Sequence, residues 1–234
     1  MLGLPTEAVS LLPAHMDFPL GRYYLCEDPP TTTITTIEME VLKEGRLSMD
    51  FLGQYTTYPY DGKGSNSVTD ITALYQDPQT GDHITDVSFA DFEIPILQFI
   101  PGLDIMGVRI EDAALDGSIN FNTGEMNLYF DARFTPFILD YNMPSMSVIT
   151  LVTTETQEFH HHDFDPLQGI RLSKWGSAKL VGVADVPALP EDTLEGIMIN
   201  LFLGLPNDAV CELPVHLDFL GGNMPAGWPP PDPK

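Results

Sequence analysis

The chain has 234 residues, 43% of them hydrophobic, and sets 34 acidic side chains against 10 basic ones for a formal net charge of −24. Such a polyanion repels phosphate backbones and anionic headgroups, so nucleic acid and acidic membrane surfaces are excluded as partners, while cations and basic proteins are favoured. No apolar run reaches the roughly 20 residues of a spanning helix, and the length suits one large all-β domain or two small ones. No secretory leader pattern opens the sequence, because Pro5 and Pro13 interrupt it and the first basic residue is Arg22.

The opening segment LGLPTEAVSLLPAHMDFPLG (2–21) returns as LGLPNDAVCELPVHLDFLGG (203–222), with 12 of 20 positions identical. That is an internal repeat, and it divides the chain into a duplicated closing-strand segment (1–21), a single all-β domain (22–222) and a proline-rich tail (223–234). The first copy is expected to be the remnant of a preceding repeat or an added edge strand. Its apolar residues Leu12, Ala14, Met16 and Phe18 need burial, which points to self-association or to strand exchange with a neighbour.

Between the copies, period-two alternation dominates. Ile37, Met39 and Val41 share one face and Glu38 and Glu40 the other, and Leu47, Met49 and Phe51 repeat the pattern. A flexible hairpin tip is expected at Asp61–Ser67, followed by strands near 67–75, 94–100 and 105–110. The clearest hairpin enters through Ile119 and Phe121, turns at Asn122-Thr123-Gly124 and leaves through Met126, Leu128 and Phe130. Further strands are expected near 148–153 and 179–183. About nine or ten mostly antiparallel strands result, a sandwich or barrel. One segment has another period: Leu194, Ile197, Met198 and Leu201 at i, i+3, i+4 and i+7, with Asp192 or Thr193 as N-cap and Gly204 and Pro206 as stop signals, predict a C-terminal amphipathic helix of about three turns. After it Leu213, Val215, Leu217 and Phe219 alternate in a closing strand.

Two histidine groups are candidate sites. In EFHHHDFDP an extended backbone would project Glu158, His160 and His162 together, and two imidazoles spaced H-x-H with a carboxylate suit zinc, copper or iron. His15 with Asp17, and His216 with Asp218, recur at equivalent repeat positions on the polar face of a strand, as a base with its orienter or a hydrogen-bonded surface pair. Asp163, Asp165 and Gly169 hint at a calcium loop, but Lys174 stands where its bidentate Glu belongs. Cys26 and Cys211 do not align in the repeat and imply no disulfide framework.

No nucleophile elbow, P-loop, H-E-x-x-H or dinucleotide fingerprint is found. The expected function is therefore a non-catalytic acidic β-module for binding or assembly, from a tandem-repeat protein, with no dedicated cofactor and at most weak divalent-cation binding. Two alternatives stand beside it. One is a β-barrel carrier of an apolar ligand such as a lipid or pigment, and the other is a metal-dependent enzyme built on His160 and His162. The excess charge gives a first test: millimolar calcium should raise thermal stability little more than sodium chloride at matched ionic strength, since screening supplies most of the effect. A stoichiometric transition at micromolar calcium in a thermal-shift titration would reveal a built site.

Overall fold

The computed structural model describes residues 16–18, 21–23, 33–42, 44–59, 66–70, 74–89, 115–130, 149–156 and 158–230. The first two strands, β1 (Met16–Phe18) and β2 (Gly21–Tyr23), form an antiparallel ribbon of their own. The remaining eleven belong to one sheet: β3 (Thr36–Val41), β4 (Arg46–Phe51), β5 (Gln54–Pro59), β6 (Asn66–Asp70), β7 (Leu74–Gln76), β8 (His83–Phe89), β9 (Leu115–Asn120), β10 (Met126–Phe130), β11 (Ile149–Val152), β12 (Ser177–Val186) and β13 (Asn207–Leu220). The expected strands at 94–100 and 105–110 lie outside the described residues.

The registers show how this sheet is laid out. β13 faces β3 through Leu220↔Thr36 to Val215↔Val41, then β4 through Glu212↔Arg46 to Val210↔Ser48. β3 and β4 thus lie end to end as one limb beside the closing strand. β5 pairs with β4 and β6 with β3, so they form a second limb antiparallel to the first. β7, a few residues after β6, carries the row on to β8 through Leu74↔Thr85, Tyr75↔Ile84 and Gln76↔His83. β8 to β13 then pair consecutively, each antiparallel to the next. With β13 back beside the first limb, the hydrogen-bonded row runs β5-β4-β13-β12-β11-β10-β9-β8-β7 with β3 and β6 at its side, an open, barrel-like sheet in which β6 comes near β8 without a ladder between them.

Alternation decides what fills it. Ile37, Met39 and Val41 from β3, Leu180 and Ala184 from β12, and Leu213, Val215 and Leu217 from β13 are buried. They join Phe89, Leu115, Ile119, Phe121, Met126, Leu128 and Leu151 in one apolar core. A barrel-like sheet of this size leaves an interior that side chains can fill, and these large residues occupy it. One end is finished by aromatics. Residues 223–230, expected as an extended tail, fold back there: Trp228 stands edge-on to Phe121 and Phe219, with ring centroids 6.1 and 5.3 Å away.

At the opposite end α1 (Leu194–Leu203) links β12 to β13. Thr193 caps it by accepting from Gly196 N, and Gly204, left-handed at φ 60°, terminates it. The residues that anchor it are not those that define it in sequence. Gly196, Ile199, Asn200 and Leu203 are buried, while Leu194, Ile197, Met198 and Leu201 face outward. Asn200 explains the rotation: its side chain donates to Leu189 O at 2.9 Å and accepts from Leu189 N at 2.8 Å, so a polar residue locks the inner face.

At Gly53 backbone freedom alone matters, whereas at Gly117, with φ +155°, a lack of space is added to it. A Cβ on Gly117, where β9 crosses β10, would lie 2.1 Å from Asn127 O and 2.8 Å from Leu128 Cα, whereas Gly53 in the β4–β5 turn, at φ +77°, has nothing within 4 Å. Gly53→Ala should cost about 1–2 kcal/mol, the left-handed penalty alone. Gly117→Ala should cost on the order of 3 kcal/mol because backbone must move, an order that chemical denaturation will test.

Candidate functional site

The chain between β11 and β12 crosses the outside of the barrel as a strap. Its turn at His160-His161-His162 closes on one carboxylate, that of Asp208 at the start of β13. Asp208 accepts from the backbone N–H groups of His160 (3.1 Å), His161 (2.6 Å) and His162 (2.9 Å). The Nδ1 of His162 lies 3.2 Å from the same carboxylate, whose side chain is fully buried. Burial by itself raises the pKa of an acid, but here the hydrogen bonds from His161, His160 and His162 outweigh it and hold Asp208 below its ordinary 3.8.

Around this anchor the rings form a layer on the sheet's outer face. The His162 imidazole stacks on Phe164, with planes 4° apart and centroids at 5.1 Å. Tyr55 on β5 tilts against both rings, at 5.1 and 5.0 Å. The Tyr55 hydroxyl is pushed up to about 12 by burial first and then by the charges of Asp208 and Glu212, with the Ser48 hydrogen bond opposing. His161 Nε2 reaches Asp185 Oδ1 at 2.9 Å. Beside them Glu212 takes Lys179 Nζ at 2.5 Å and Arg46 Nε at 3.5 Å.

Chemically, His162 is an imidazole oriented through Nδ1 by a buried acid, as a general base would be. Glu158 and His160 are exposed and do not join it. Among the described residues no group of three or more His, Cys, Asp or Glu is placed to hold a metal ion. Of the expected ligands Glu158, His160 and His162, the two histidines, with His161 between them, are gathered around an aspartate mostly by their amides.

The second candidate is brought together in its C-terminal copy: His216 Nε2 lies 3.6 Å from Asp218 Oδ1 on the barrel's outer face. Their Cα partners on β3 are Glu40 and Glu38, so this pair is part of an acidic ladder. In the first copy, Asp17 lies in β1 opposite Arg22, and His15 falls outside the described residues. Cys211 is a free, buried thiol, raised to about 12 by burial and then by Glu212; Cys26 lies outside the described residues. Sequence reasoning missed Asp208, Asp185 and Tyr55. Only Asp208 left a signal, as an acid directly before the apolar run Ala209–Cys211.

Removing the Asp208 carboxylate orphans three amides in a covered site. Asp208→Ala should cost about 3–5 kcal/mol, and Asp208→Asn about half of that, since one oxygen survives. The folded pKa lies below the ordinary value, so the stabilisation is complete above 3.8 and is lost as pH falls through the folded pKa. Urea titrations at stepped pH should therefore find the gap between wild type and Asp208→Asn constant near neutrality and closing below about pH 4.

Compared with protein-family models, with curated proteins and with solved structures, the chain finds no match in any of the three.

Proposed function

We propose that this chain is a non-catalytic, acidic β-barrel module for binding and assembly, of a tandem kind in which the closing strand recurs. One observation carries the reading: the repeated segment coincides with the strand on which the barrel closes. β13 borders β12 on one side and β3 and β4 on the other. Its inward residues Asn207, Ala209, Cys211, Leu213, Val215, Leu217 and Phe219 correspond to Thr6, Ala8, Ser10, Leu12, Ala14, Met16 and Phe18. Ala209 and Ala8 are identical, as are Leu213 and Leu12 and Phe219 and Phe18, Leu217 becomes Met16, and only Val215 shrinks, to Ala14. Residues 2–21 thus have the side chains to complete a second barrel of this construction, and self-association or donation to a neighbouring unit follows.

One difference chooses the acceptor. Leu11 corresponds to Glu212, the acid that takes both Lys179 and Arg46. Placed in another copy of this barrel, Leu11 would leave two cations without their carboxylate. A sibling barrel lacking those cations is the better host. The alternatives have less support: large side chains occupy the interior that an apolar ligand would need, and His162 is engaged by Asp208 and apart from Glu158 and His160.

The test uses the full chain. Ser177 is the Cα partner of His216, and His216 corresponds to His15, so His15→Cys with Ser177→Cys forms an intermolecular disulfide when the first copy occupies the β13 position of a partner molecule. Little crosslinked dimer is expected with Leu11 present. Leu11→Glu should raise its yield about tenfold, the worth of one charge-assisted hydrogen bond. Equal yields in both backgrounds, or none in either, would refute the spine-strand reading.

A further inference from the structure

α1 is held rigidly and carries an apolar face that the barrel does not use. Its inner side is fixed by Ile199 and Leu203 in the core and by the paired bonds of Asn200 to Leu189. Both ends are tied as well: Thr193 caps the first turn, Asn207 Nδ2 donates to Leu203 O at 3.0 Å, and Leu52 N donates to Phe202 O at 2.8 Å. Leu194, Ile197, Met198 and Leu201, exposed by 72, 46, 39 and 66%, run along the outer side. Their i, i+3, i+4, i+7 spacing makes a continuous stripe, the pattern of a helix that seats in a groove. The ordering of the helix is already complete, so a partner has little further entropy to overcome.

The surroundings of the stripe select its partner. Glu191, Asp192 and Glu195 are exposed at its N-terminal end, and the last turn has no basic residue. With a net charge of −24 over the chain, docking two copies stripe to stripe would press like charges together, and an anionic bilayer would repel the same face. A groove that is apolar along its floor and lined by Lys or Arg at the end receiving Glu191 to Glu195 meets both features. Met198 adds a flexible, polarizable contact that adapts to an irregular floor.

We infer that the outer face of α1 is a docking surface for a protein partner with an apolar groove rimmed by basic residues. It is a surface distinct from the recurring spine strand, and either stands if the other falls.

The test places a photoreactive benzophenone side chain at Leu194 of the full chain, with the same probe at Ile170, exposed on the strap side, as the control. Adducts formed in a lysate of the source cells are identified, and the captured protein is purified and titrated directly. The expected result is a saturable interaction, crosslinked to an apolar groove with flanking Lys or Arg and weakened at least 30-fold by Leu201→Asp. It should weaken roughly tenfold more when Glu191, Asp192 and Glu195 are all made Gln, and in rising salt, while thermal melting of both variants stays that of wild type. Binding indifferent to Leu201→Asp, or the absence of any adduct specific to position 194, overturns the inference. So does a self-adduct with concentration-dependent dimerisation in sedimentation equilibrium, which would make a second copy the occupant. Equal loss on Leu201→Asp of binding to phosphatidylcholine vesicles, with no protein adduct, would make it a membrane.

Discussion

The fold depends on β13 being hydrogen-bonded along both edges. Ten of its residues face β12, while its other edge is shared between β4 and β3. From Val210 to Glu212 and at Val215 and His216 the strand is paired on both sides, and without it the sheet parts between β12 and the first limb. The contacts that close the barrel join residues near 36–51 to residues near 207–220, so the loop to be closed spans most of the chain. Such closure is entropically expensive, because distant parts of the chain must meet before their contacts repay the ordering. An incomplete barrel would expose the edges that β13 covers, a site where a second spine-like segment could compete.

The two ends of the barrel are built differently. The end near Phe121 has short turns at 77–82 and 121–125 and an aromatic finish of Phe121, Phe219 and Trp228. At the other end lie α1 and the β4–β5 turn. Connections carry most variation and most binding in proteins of this architecture. The exposed stripe of α1 lies at that end, and the strap with its histidines reaches toward it along the outside. The exposed stripe and the packed core are thereby kept apart, with the interior left to large apolar side chains.

Much of this was legible in the residues. Alternation located β3, β4 and β9 to β13, because burial on one face of a strand leaves a period of two that needs no knowledge of neighbours. The helix was legible too, with its cap at Thr193 and stop at Gly204. Its orientation was not: four apolar residues at helical spacing suggest an inner face, and the single Asn200 that reverses the choice is recognisable only once Leu189 is beside it. β5, Gln54–Pro59, escaped because Tyr-Thr-Thr-Tyr alternates weakly. The histidine strap was read as a ligand set since the sequence shows side chains, whereas the amides that bind Asp208 exist in every residue. The partner of that strap sits about 47 residues downstream, a separation no local pattern encodes.

The Asp208 anchor has a consequence of its own for how the strap can change. The carboxylate is gripped chiefly by three successive main-chain amides, and any residue but proline supplies an amide. The turn therefore keeps its shape whatever rings it displays: the exposed position 160 can take on new side chains, and a change at 161 gives up its bond to Asp185 but not the amide that grips Asp208. Position 162, wedged between Tyr55 and Phe164, is the less replaceable of the three. A surface arranged in this way is one on which chemistry can drift while architecture stays still.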